Sequence, residues 1–162
     1  MSDALPPPLE PLAFLAGTWT GTGELHYPTI ETAHYTETIS FSCDGRPFFA
    51  YEQRTRLIEA DRPAHAEAGF WRHVGDGRVE VMLSHVTGLV EILEGTVHTS
   101  DGVTVVELAS TLVAGSSTAV PVEATTRRFE GDGTTMRYDM SMAAAGQPMT
   151  HHLAATFTRA VA

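Results

Sequence analysis

From Thr18 onward, hydrophobic and polar side chains alternate with a period of two, the pattern of strands that bury one face. In HYTETISFSC, Tyr35, Ile39 and Phe41 share one face while Thr36, Thr38 and Ser40 share the other. The pattern predicts ten strands: Thr18 to Tyr27, His34 to Cys43, Pro47 to Glu59, Ala64 to Val74, Gly77 to His85, Gly88 to His98, Val103 to Val113, Thr118 to Glu130, Thr134 to Ala143 and Met149 to Ala160. Separators such as CDGRP, GDGR, TSDG and GDGT carry Asp-Gly pairs and glycines that reach positive φ at little cost, as tight hairpins require. No long stretch shows a strong 3.6-residue period, so helices crossing between parallel strands are not expected. The predicted fold is all-β, a ten-stranded antiparallel up-and-down barrel with short helical turns only, because a meander of that length removes its edges by closing.

Ahead of the strands, residues 1–11 read as a Pro-rich extended lead-in, since consecutive prolines favour polyproline geometry. LAFLAG then suggests one helical turn ending at Gly17. With 162 residues and 43% hydrophobic content, the chain reads as a single domain, 1–162, with a sizeable core. Gly21 and Gly23 share a face of the first strand and are expected to let it bend at the seam of the barrel.

Charge narrows the function classes. The formal net charge is −10, and all ten basic residues are arginines. A basic surface for nucleic acid or anionic membrane is therefore not expected, and lysine Schiff-base chemistry is excluded. Cys43 is the single cysteine and cannot form an internal disulfide, and Met1 to Gly17 lacks the pattern of a signal peptide, so a cytoplasmic location is the expectation. No apolar run approaches the ~20 residues of a spanning helix.

The candidate chemistry rests on eight histidines. CxxCH is missing, no histidine pair has HxxxH spacing on a plausible helix, and there is no GxSxG elbow, so covalent haem, a zincin-like site and a serine hydrolase lack support. Three segments remain: PAHAEAGFWR, LSHVTGLVEILEG and THHLAATFTR. In the last, strict alternation groups His151 with Met149, Leu153, Ala155 and Phe157, and His152 with Thr150, Ala154 and Thr156. Hydrophobicity alone points His151 inward.

Four motifs, GTWTGTGELHYPTI, HAEAGFWR, TGLVEILEG and HHLAATFTR, together resemble the nitrobindin family and span nearly the whole chain. The family's GxWxGxG pattern is met by Gly17, Trp19, Gly21 and Gly23. The resemblance implies a barrel like that of fatty-acid-binding proteins and lipocalins, with one non-covalent ferric haem b per subunit held by a single proximal histidine. It implies reversible nitric oxide binding and isomerisation of peroxynitrite to nitrate, in a scavenger or sensor of reactive nitrogen species, and a homodimer is compatible with it. The family's ligand is the histidine of an HLxA segment, here His152, which is also the catalytic residue. Thr29 is implied at the haem edge, with His65 and Met142 lining the cavity. His85 falls where relatives can carry a non-ligating polar side chain. Were it to reach the sixth iron position, the site would be bis-histidine and closed to small ligands. A different class keeps the barrel but makes it a carrier of a lipid or other apolar molecule. A third class uses the barrel only as a scaffold for interactions. A Soret band on haem addition separates the first class from the other two.

Overall fold

The computed structural model describes residues 4–161. Ten strands follow one another: β1 (Gly17–Tyr27), β2 (Ile30–Ser42), β3 (Phe49–Leu57), β4 (Arg62–His73), β5 (Arg78–His85), β6 (Leu89–Ser100), β7 (Val103–Gly115), β8 (Val122–Gly131), β9 (Thr135–Ala144) and β10 (Thr150–Arg159). Each pairs antiparallel with the next, and β10 pairs with β1 to close the barrel. Every segment expected from alternation is a strand. The largest boundary changes are at β8, which starts at Val122 rather than Thr118, and at β2, which starts at Ile30 rather than His34 because Tyr27 pairs with Ile30 around a turn formed by Pro28 and Thr29.

The expected extended lead-in over residues 1–11 is corrected where it is described. Pro7–Leu15 forms a 3₁₀ helix. Proline fixes φ near the value this helix needs, and Leu9, Leu12 and Leu15 recur every three residues, the turn of a 3₁₀ helix, so all three fall on one side. All three are fully buried. The helix lies against β4 and β6 and plugs one end of the barrel. Trp19 Nε1 donates to the Leu15 carbonyl at 2.8 Å, and Arg159 stacks its guanidinium 4.4 Å from the Trp19 ring while donating to the carbonyls of Phe14 and Ala16. Residues 1–3 lie outside the described part of the chain.

The two ends of the barrel differ. At the plugged end the inward positions are aromatic: Phe41, Phe49, Trp71 and Phe129 are all buried, with Trp71 meeting Phe41 and Phe129 edge to face at 5.3 and 5.0 Å. At the other end the register slips in β1/β2, β3/β4, β6/β7, β8/β9 and β9/β10, each time in the half of the strand pair farther from the helix. A bulge bends its strand and re-aims the inserted side chain, so bulges confined to one rim open that rim while the other stays regular.

Gly21 and Gly23 stand where β1 and β10 close the barrel. Register there is continuous, and the reason for glycine is close approach: a Cβ on Gly21 would lie 2.0 Å from the Thr156 carbonyl oxygen, and one on Gly23 would lie 2.5 Å from the Tyr35 ring. The local irregularity of β1 sits further along, between Leu25 and Tyr27.

Candidate functional site at the bulged rim

Two adjacent bulges set the histidine pair of β10. In β9/β10, His151 lies opposite Ser141 and Leu153 opposite Met140, which leaves His152 as the inserted residue. Strict alternation is broken there, and the expectation that His151 faces inward is corrected. His151 is on the outer face, its Nε2 3.6 Å from Asp139 Oδ1 and its ring 5.5 Å from that of His26. His152 is half-buried and stands edge to face with the buried Tyr27 ring, 5.5 Å between centroids. Tyr27 is fixed by its hydroxyl, which accepts from the Ala144 N–H at 2.9 Å and lies 3.1 Å from the Met142 carbonyl oxygen.

The matching slip in β1 exposes the carbonyl of His26, and His152 Nδ1 lies 3.1 Å from it. A carbonyl only accepts, so Nδ1 carries the proton and, in the neutral ring, Nε2 carries the lone pair. Burial is the largest influence on this imidazole and holds its pKa below the ordinary value, with the nearby His65, His151 and His26 acting in the same direction and the bond to His26 opposing. The side chain is thus a neutral nitrogen donor with fixed tautomer and orientation.

Thr29 is exposed in the β1–β2 turn, and Met142 is half-buried on β9, directly opposite Thr125 and Thr150. His65 and His85 are brought together, with ring centroids 5.3 Å apart. His65 sits at the β3/β4 irregularity, where its N–H donates to Thr55 Oγ1 at 2.9 Å. His85 is buried, with Nδ1 3.1 Å from Glu67 Oε2 and Nε2 3.0 Å from Glu91 Oε1. Both of its nitrogens therefore face carboxylates, and ligating an iron would require giving one of these up.

Sequence reasoning missed the belt to which His85 belongs. Below the rim, Glu37, Gln53, Glu67, Glu91, Thr125 and Arg127 all turn into the barrel and are buried. Arg127 donates to both oxygens of Glu67, at 2.5 and 3.1 Å, to Glu91, and to the Tyr138 hydroxyl. Tyr51 donates to Glu67 at 2.9 Å, Thr125 to Glu91 at 2.6 Å, and Gln53 to Glu37 at 2.7 Å. Burial pushes every one of these carboxyls up, but Arg127 and the histidines override it at Glu67, which is held well below its ordinary range, and at Glu91, which is lowered. Glu37 lacks a direct cation and is pushed up to about 8, chiefly by burial. Burial lowers His85, but its bonds to Glu67 and Glu91 outweigh this and push it up to about 9. The signal was available for four of the six: Glu37, Gln53, Glu91 and Arg127 are each in phase with a core aromatic or leucine two residues away, as in Tyr35-Glu37, Tyr51-Gln53, Glu91-Leu93 and Arg127-Phe129, whereas Glu67, between His65 and Gly69, and Thr125, between Glu123 and Arg127, carry no such mark.

A closed ten-stranded barrel, sealed by a helix at one end and presenting an oriented neutral histidine at the other, is an architecture whose open end could hold a metal-bearing ligand. The family described as "THAP4-like, heme-binding beta-barrel domain" matches residues 8–159, and the chain belongs to it. It is 48% identical to the peroxynitrite isomerase of Nocardia farcinica over 98% of this chain and 94% of the relative. It is 42% identical to peroxynitrite isomerase 2 of Mycobacterium marinum, covering 98% and 99% of the two chains. Among solved structures it is similar to Rv2717c from M. tuberculosis, with a TM-score of 0.93 and 37% identity over 98% of this chain and 100% of that one. The donor set of the rim fits a haem: a neutral imidazole with Nδ1 bonded to a backbone carbonyl and Nε2 free is the form in which histidine ligates iron.

Proposed function

We infer that the chain is a haem-dependent peroxynitrite isomerase in which His152 holds the iron of one haem b. The observation that carries this reading is the bond from His152 Nδ1 to the His26 carbonyl across the two bulges. That bond fixes the ring, keeps Nε2 available and raises its basicity as a ligand. Haem, when bound, would supply a ferric Lewis-acid and redox centre, and the names of the relatives supply the reaction class, isomerisation of peroxynitrite, whose isomer is nitrate. The protein's own contribution is positional. The bulged rim bends the strands apart at the mouth, the aromatic end and the helix close the far side, and Thr29, His65, His85 and Met142 would line or border a haem held by His152.

Because both nitrogens of His85 are committed to Glu67 and Glu91, His85 would leave a haem held by His152 accessible to small ligands. Reversible nitric oxide binding, and with it a scavenging or sensing role, follows from that accessibility. A cytoplasmic setting, where Cys43 remains a thiol, completes the proposal. A homodimer is also proposed, through an outer face on which Phe70, Met82, Ile92 and Leu112 lie in register across β4 to β7. The carrier reading is disfavoured by the charged belt, since an apolar ligand reaching the barrel centre would have to displace or desolvate Glu67, Glu91 and Arg127. Haem titration followed by Soret absorbance, then nitrate yield from peroxynitrite with and without haem, tests the function. A chain that takes up no haem, or whose haem form leaves peroxynitrite decay unchanged, overturns it.

A further inference from the structure

β4 places His65 and Glu67 two residues apart, and β5 places His85 directly opposite Glu67. Their donor atoms form a nearly equilateral triangle. His65 Nε2 lies 3.2 Å from His85 Nδ1 and 3.4 Å from Glu67 Oε2, and His85 Nδ1 lies 3.1 Å from Glu67 Oε2. A tetrahedral zinc with bonds of ~2.0–2.1 Å has ligand–ligand edges of about 3.3–3.4 Å, so three such atoms match one face of its coordination shell. Three potential ligand atoms at these mutual distances can bind one cation in common once His85 Nδ1 gives up its proton.

The surroundings complete such a site. Glu91 Oε1 lies 3.0 Å from His85 Nε2 and fixes that ring from behind, the outer-shell carboxylate that metal-bound histidines characteristically have. Tyr51 holds the other oxygen of Glu67 at 2.9 Å. Two carboxylates, Glu67 and Glu91, face a single guanidinium, Arg127, so the belt carries one carboxylate more than its arginine balances. In the metal-free chain a proton on His85 meets that excess. His65 is 31% exposed, whereas Glu67 and His85 are 5% and 7% exposed, so a bound ion would have its remaining position on the more exposed His65 side.

We propose that His65 Nε2, Glu67 Oε2 and His85 Nδ1 form a second metal site inside the barrel, for a divalent first-row cation of the kind two histidines and one carboxylate select, zinc or ferrous iron. It shares no ligand with His152 and stands or falls independently of the haem reading. On binding, the proton on His85 Nδ1 leaves to solvent as the metal–nitrogen bond forms. With its fourth position open, the site belongs to the catalytic rather than the structural type.

The test is calorimetric titration of the full chain with Zn²⁺, without haem and with it, and anomalous diffraction at the zinc edge to locate the ion. One zinc per chain between His65, Glu67 and His85 is expected. His65→Ala, at a partly exposed position that leaves the Glu67–Arg127 pair intact, should weaken binding at least about 10–100-fold, the usual cost of losing even an outer-shell partner. Glu67→Gln should do likewise, and circular dichroism confirms that each variant folds. His151→Ala controls for zinc held by surface histidines near His26 and should leave the affinity unchanged. Absence of zinc after titration, zinc located between His26 and His151, or an unchanged affinity in folded His65→Ala overturns the proposal.

Discussion

His152 and His26 meet across two bulged strands, the Nδ1 of one 3.1 Å from the carbonyl oxygen of the other. Neither regular strand would allow this. The β9/β10 bulge turns the His152 ring inward next to Leu153, and the irregularity in β1 frees the His26 carbonyl from the ladder. The same two slips leave His151 and His26 ring to ring outside. Which of two neighbouring histidine rings turns inward is thus decided by one inserted residue.

Arg127 is the centre of the belt, and its removal should be costly. Arg127→Met nearly keeps the volume but leaves Glu67 and Glu91 buried without their guanidinium, with His85 the remaining partner of both, and breaking a buried pair in this way typically costs about 3–5 kcal/mol. Urea unfolding at neutral pH measures it. A loss below about 1 kcal/mol would mean that water reaches the carboxylates and that the belt is not the dry network described.

The belt also sets a pH dependence. His85 is raised from 6.5 to about 9, so its contribution is complete below pH 6.5 and lost as pH rises through about 9. Glu37 is raised from 4.5 to about 8 and acts with the same sign, costing stability as pH rises through about 8. Glu67 and Glu91 are lowered and act oppositely, losing their contribution as pH falls below 4.5. The metal-free chain should therefore lose stability between pH 4.5 and 9, through Glu37 up to about pH 8 and through His85 from pH 6.5 to about 9, and His85→Gln should flatten the part of that slope above pH 8. NMR of the His85 ring reads the same event directly, and a neutral ring at pH 7 would contradict it.

Gly21→Ala places a methyl 2.0 Å from the Thr156 carbonyl oxygen and 2.8 Å from the Phe157 ring. The first neighbour is backbone of the strand that closes the barrel and cannot swing away. Overpacking of this kind costs about 1–3 kcal/mol, sometimes more, and the variant's thermal midpoint should fall accordingly. A midpoint equal to that of the parent chain would show that β1 and β10 can move apart.

The barrel was legible in the sequence because each strand keeps its period and each hairpin has its turn chemistry. What was not legible has two physical causes. A bulge adds one residue without leaving a mark in composition, so alternation carried through HHLAATF assigned His151 to the wrong face, whereas the HLxA motif pointed to His152. A buried charge reads as a surface charge until its partner is known. Glu67 and Arg127 lie 60 positions apart in the chain and meet only when β4 and β8 face each other across the barrel. The helix was missed for a related reason. The consecutive prolines 6, 7 and 8 argued for an extended chain, while the three-residue spacing of Leu9, Leu12 and Leu15 argued for a 3₁₀ turn that only the open barrel end could bury.

The central claim is tested most directly by comparing haem binding in His152→Ala and His151→Ala. The two positions are adjacent, carry the same side chain and differ in the direction the bulge gives them. His152→Ala should fold normally yet lose the Soret signature of an imidazole-bound haem, most haem retention on gel filtration and the acceleration of peroxynitrite decay. His151→Ala should keep all three. Retention of an imidazole-bound haem by folded His152→Ala, or its loss in His151→Ala, would contradict the account.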